Sequence, residues 1–86
     1  METKFTDGTE VTPYMATAYA EGFETPKTSN DIVIAWSYLI GTKLAYSLQG
    51  MFGRRAESIV KAGYIAEDGT VDWDMIIPVN EDDLVE

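Results

Sequence analysis

The chain contains neither cysteine nor histidine. Without cysteine there is no disulfide, and without either residue type the common zinc sites lose all their sulfur and nitrogen ligands. Missing histidine also removes the general base on which most acid–base enzymes rely. Basic residues are scarce: six Lys and Arg stand against fifteen Asp and Glu, a net charge of −9. Such a balance disfavours nonspecific attraction to nucleic acid or anionic lipid over most of the surface. Long apolar runs are absent too, because the longest largely apolar stretch covers only residues 32–42, about half a membrane span. The opening METKFTDGTEV lacks the basic start and apolar stretch of a secretory signal. These absences lead to the expectation of a cytoplasmic protein with no membrane association, no catalytic residues, no metal and no cofactor.

What is present is enough to fold. The 86 residues are 45% hydrophobic and include two Trp, five Tyr and three Phe, more bulky material than a disordered acidic chain carries. The length fits one domain with a thin stability margin, expected over residues 1–78, with 79–86 as an acidic C-terminal tail. Charge is unevenly distributed. Residues 1–42 sum to −4, residues 43–65 to +3 and residues 66–86 to −8.

The expected fold is α+β and mainly helical, about three helices followed by a C-terminal β-hairpin. After a polar lead-in with an Asp7-Gly8 turn, Thr12-Pro13 predicts a helix start, with Thr as cap and Pro at the first helical position. Gly22-Phe23 predicts a left-handed stop with the apolar residue folding back. Thr28-Ser29-Asn30-Asp31 has the spacing of a capping box. Beyond it, Val33, Trp36, Ile40, Leu44 and Leu48 hold helical spacing through Gly41, although Ile32-Val33-Ile34 also suits a strand. Gly50-Met51-Phe52-Gly53 breaks the pattern, and helix is expected to resume over 54–62 until Gly63. The Asp68-Gly69 turn and the alternation of Val71, Trp73 and Met75 predict a hairpin, which Pro78 ends.

Helix, break, helix and hairpin resemble the second half of a winged helix-turn-helix domain, whose helix before the wing enters the major groove. On that reading Lys43, Arg54, Arg55 and Lys61 would contact nucleic acid. Gly50–Gly53 also resembles the GXXG loop of KH domains, the alternative fold, although Met and Phe suit a helix corner better than a phosphate cradle. Against DNA, the would-be wing carries Glu67, Asp68, Asp72 and Asp74, which would meet phosphate with like charge. Those carboxylates read as solvated charge rather than as an acid–base pair or a Ca²⁺ site. Trp36, Tyr38, Tyr46, Phe52 and Trp73 read as core rather than as a base-stacking platform.

Residues 35–65 are also similar to a family of short phage-encoded proteins. Its signature is a Trp, a Thr-Gly-Leu, a Trp-x-Leu-Gln-Gly, an aromatic-Gly-Arg and an apolar helix ending in Gly-x-Ile. Trp36, Thr42, Leu44, Leu48, Gln49, Gly50, Phe52, Gly53, Arg54, Ala56, Gly63 and Ile65 match. Lys43, Tyr46 and Arg55 depart from it, standing where that family has Gly, Trp and Thr. The resemblance implies a phage origin and action in the host cytoplasm, and it transfers no catalytic residue.

The functional expectation is a small acidic phage accessory protein that binds, and inhibits, a host protein such as a nucleic-acid-handling or defence enzyme. Glu67, Asp68, Asp72, Asp74, Glu81, Asp82 and Asp83 would supply the acidic face, with a monomer or small homo-oligomer as its state. The alternatives are nucleic-acid binding through the basic segment, and a self-assembling protein using Trp73, Met75 and Ile77 as a strand edge.

Overall fold

The structure, a computed structural model, describes residues 1–48 and 50–76. The expected tail 79–86, with Glu81, Asp82 and Asp83, lies outside the described residues, as do Gln49, Ile77 and Pro78. The described chain is mainly helical, with α1 at Pro13–Glu21, α2 at Ser29–Gly41, α3 at Leu44–Ser47 and α4 at Phe52–Ala62.

α1 starts as its sequence dictates: the Thr12 hydroxyl accepts the Met15 N–H at 3.2 Å, and Pro13 needs no partner at the first position. α2 is the centre of the molecule. Ile34, Ala35, Trp36, Leu39 and Ile40 are buried along it, so most of its circumference is enclosed. The β-branched run 32–34 is helical here, because tertiary enclosure outweighs the modest propensity of Ile and Val for strands. Helical spacing does not carry through position 43. Lys43 takes a left-handed conformation, φ 67°, which separates α2 from the single turn of α3.

The polar lead-in belongs to the core. Phe5 is buried and meets Tyr19 edge to face, with ring centroids 4.9 Å apart. Burial pushes the Tyr19 hydroxyl above its ordinary pKa, assisted by the charges of Asp31, Asp7 and Glu24. Two buried polar groups on α2 hold the lead-in down. Asp31 accepts from Thr6 N–H at 2.8 Å and from the Thr6 hydroxyl at 2.9 Å, while Ser37 Oγ accepts the Glu2 N–H at 2.9 Å. The capping box therefore does not form as expected: the Thr28 hydroxyl donates to the Asp31 carboxylate at 3.4 Å and caps no backbone N–H.

The C-terminal hairpin is the main correction. Among the described residues there is no sheet, only isolated antiparallel bridges at Lys4–Glu10 and Ile65–Val71. The Asp68-Gly69 turn does form, with Gly69 N–H donating to Ala66 C=O and Ala66 N–H to Thr70 C=O. Past Val71 the chain curls instead of extending. Asp72 C=O accepts from the N–H groups of Met75 and Ile76, and its carboxylate accepts from Asp74 N–H at 3.2 Å. An Asx-type side chain has captured the backbone that a second strand needed. Among the described residues there is neither a wing nor a strand edge built on Trp73 and Met75.

Gly69 is where α2, the amino terminus and this turn converge. Its carbonyl accepts from the Ser37 hydroxyl, its φ is +90°, and a Cβ there would lie 2.7 Å from the Ser37 carbonyl oxygen. Gly8 has nearly the same φ, +88°, with nothing within 4 Å of a Cβ. Gly8→Ala should therefore cost roughly 1–2 kcal/mol for the left-handed conformation alone, and Gly69→Ala clearly more. Urea unfolding of both variants measures the difference, and equal losses would contradict the convergence. Phe5→Ala should cost about 3–5 kcal/mol, a core-sized loss in the same assay, whereas a dispensable lead-in predicts almost none.

Candidate functional site

The acidic residues expected to act together divide into two kinds. Glu67, Asp68, Asp72 and Asp74 are all exposed on the loop after α4. Asp68 accepts Thr70 N–H at 2.9 Å, and Asp72 accepts from Asp74 and Met75, so these two carboxylates shape their own turns. The Thr70 hydrogen bonds hold the Asp68 carboxyl below the usual carboxylate range, as those from Thr9 do for Asp7. Among the described residues, Glu67 and Asp74 side chains accept no hydrogen bond of this kind and project only charge. Among the described residues, no group of three or more acidic side chains is placed to hold a metal ion.

The basic residues do not form one surface. Lys43 donates through Nζ to Glu67 C=O at 2.8 Å, and it shares a depression with Lys61, Glu57, Glu67 and Tyr46. Two of each sign alternate there, and burial with the Glu67 and Glu57 charges raises the Tyr46 hydroxyl pKa. Arg54 and Arg55 stand apart at the start of α4, both exposed. The aromatic residues are likewise dispersed: Trp36 and Phe52 are buried with ring centroids 5.8 Å apart, while Tyr46 and Trp73 lie at the surface elsewhere.

Arg55 instead borders an open cleft of about 400 Å³. Trp36 and Phe52 form its apolar base, Phe23 and Met51 stand at its edge, and Glu21 lines it on the α1 side. Phe23 is 80% exposed and Met51 63% exposed, large values for side chains of this type. The reason lies in the α1 terminus. Gly22 takes φ 85°, and Phe23 N–H donates to Ala18 C=O at 2.9 Å, so the left-handed stop forms as expected. The residue on which Phe23 would fold back is Ala18, however, whose methyl group offers too little surface. Phe23 consequently stays exposed. Gly50, at φ 82°, turns the chain into Met51 and then α4, leaving Met51 outside while Phe52 enters the core.

A second, smaller cavity of about 170 Å³, also lined by Trp36, lies among Ile32 and Val33 of α2, Ile59 of α4, and Tyr64 and Ile76. Neither cavity was legible as a site from residue type. The available signal was the Gly22-Phe23 stop lacking a bulky partner three residues into the helix.

A mainly helical chain with an apolar cleft bounded by charges is thus the class of molecule that fold and site define. The chain belongs to a family described as a domain of unknown function, DUF7417, whose model matches residues 23–81. That span contains α2, α3 and α4, the smaller cavity, and all of the cleft's lining except Ala20 and Glu21. No curated protein matches the chain, and no solved structure does.

The lowered carboxyl pKa values of Asp68 and Asp7 give stability a definite acid dependence. A folded-state pKa below the unfolded value stabilises the protein above the ordinary value of 3.8. That contribution is lost as pH falls through the lowered folded value. Thermal unfolding from pH 6 to pH 2 should show the loss setting in below about 4, and Asp68→Asn should make that limb shallower. An unchanged limb would mean that the Asp68–Thr70 bonds contribute nothing.

Proposed function

We propose that the chain is a phage accessory protein that acts by binding a host protein, with the cleft at Phe23 and Met51 as its principal contact. The observation that carries this reading is the anatomy of the cleft. Apolar side chains form its centre and charged ones its rim, the arrangement of protein–protein interfaces, and the two bulkiest edge residues are held away from their own core. The phage assignment rests on the resemblance over residues 35–65, and a nucleic-acid-handling or defence enzyme fits as target because the acidic loop could address a basic groove. Inhibition would follow from occupying such a groove.

In this reading the loop carboxylates act at a distance. Exposed charges of one sign steer encounter and weaken with salt. Nucleic-acid binding through Lys43, Arg54, Arg55 and Lys61 is the weaker reading, because Glu57 and Glu67 interrupt the two lysines and the carboxylated loop makes no wing. In a KH-like reading Gly50–Gly53 would clamp a backbone, but Phe52 is buried and Gly53 lies within α4.

Capture from host lysate with the chain as bait should retain a protein after nuclease treatment, and Phe23→Ser with Met51→Ser should reduce its recovery at least tenfold. Glu67→Gln with Asp74→Asn, which touch no turn hydrogen bond, should slow association several-fold and flatten its salt dependence with little change in dissociation. Retention of nucleic acid instead, lost on Arg54→Glu, would favour the other reading.

A further inference from the structure

The last described residue, Ile76, stands at an apolar cavity. Its N–H donates to Asp72 C=O at 3.2 Å, which holds it beside the loop after α4. Ile76 lines the 170 Å³ cavity together with Ile32, Val33, Trp36, Ile59 and Tyr64, and the lining is apolar surface alone. Ile32 and Tyr64 are exposed there, so the cavity leaves apolar area in contact with water. An apolar cavity of roughly 150 Å³ holds one benzene ring, and this one accordingly has room for an aliphatic side chain. The residues that follow Ile76 in the chain are Ile77, Pro78 and Val79.

Charge gives this segment a preferred side. Beyond Val79 come Glu81, Asp82, Asp83 and Glu86 with no basic residue among them. The loop that carries Ile76 exposes Asp72 and Asp74, and like charge repels the segment from it. A cation lies close to the cavity on α4. Arg55 precedes Ile59 by four residues, and side chains at that spacing are neighbours on a helix. Arg55 is exposed, and the only ion pair among the described residues joins Lys27 to Asp7. Glu21, which lines the cleft with Arg55, makes no such pair with it. Reach is ample: Arg55 is offset from Ile59 by roughly 6 Å along the helix, and the five residues from Ile76 to Glu81 extend to about 18 Å.

We infer that the chain's own C-terminal segment, residues 77–86, docks on α4, with Ile77 and Val79 covering the small cavity and Glu81, Asp82 and Asp83 meeting Arg55. The apolar pair comes first in the sequence and the carboxylates second, the order in which the cavity at Ile76 and then Arg55 are met. The family match continues past Ile76 to residue 81, so the shared span includes the apolar pair and the first of these carboxylates. This contact lies within the chain and is independent of what the cleft binds. It nevertheless alters the cleft, because Arg55 lines it. Docking there brings acidic residues to the α4 rim and neutralises the cation that the described residues leave without an ion pair.

The chain has no cysteine, so Glu86→Cys places a single nitroxide label on the full chain. Amide resonances of residues 55–59 should then lose at least half their intensity, more than those of Trp73 and Asp74 on the loop beside Ile76. Arg55→Glu changes an exposed side chain and should leave the helical circular dichroism unaltered, yet restore those intensities. Ile77→Ser with Val79→Ser should restore them too, and about 0.5 M salt should weaken the broadening. The inference is overturned if the loop amides broaden as much as those of α4, which a segment swinging freely about Ile76 would produce, or if either set of substitutions leaves the broadening unchanged. Broadening between chains, in a mixture of spin-labelled and isotope-enriched unlabelled protein, would overturn it as well by seating the segment on a second copy.

Discussion

The hydroxyl of Ser37 ties together parts of the chain that no helix packing would join. It sits fully buried in the middle of α2, accepts from the amino-terminal segment at Glu2 and donates to the turn at Gly69. Both bonds satisfy backbone groups that would otherwise be costly to bury. One turn and a half earlier on α2, Asp31 does the same for Thr6. A chain this short cannot enclose an almost wholly apolar helix with three other helices alone. The amino-terminal segment and the 66–70 turn complete the enclosure, and two polar side chains fix where they lie.

The cleft follows from the same arrangement. α4 is positioned through α3, through the Ile65–Val71 turn and through the contact of Phe52 with Trp36 of α2. Trp36 and Phe52 meet between the two helices, and the cleft opens beside them. Such a surface is apolar because it is nearly core: its floor consists of the residues that stabilise the fold. Only Phe23 and Met51 at its edge are free of that duty, which separates binding from stability in a way mutation can exploit.

Much of the helical framework was legible in the residues. Thr12-Pro13, Gly22 and Gly63 mark helix ends through local chemistry that tertiary contacts do not override. The curl of the chain after Val71 was not, because period-two alternation does not reveal that Asp72 will capture the next backbone N–H groups. Lys43 broke a helix that spacing continued, since a left-handed Lys leaves no mark in a hydrophobic pattern. Charge read along the sequence also misled. Residues 43–61 are basic as a segment, yet folding interleaves Lys43 and Lys61 with Glu57 and Glu67 and leaves Arg54 and Arg55 on another face. Phe23 and Met51 escaped notice because an apolar residue beside a glycine is usually a helix stop or corner, and only the size of Ala18 distinguishes this case.

Amide hydrogen exchange of the full chain, free and bound to its captured partner, tests most directly where that partner sits. Binding in the cleft predicts protection concentrated at residues 22–24 and 51–56, with little change across 66–74. Protection confined to the acidic loop, with the cleft amides unaltered, would contradict it.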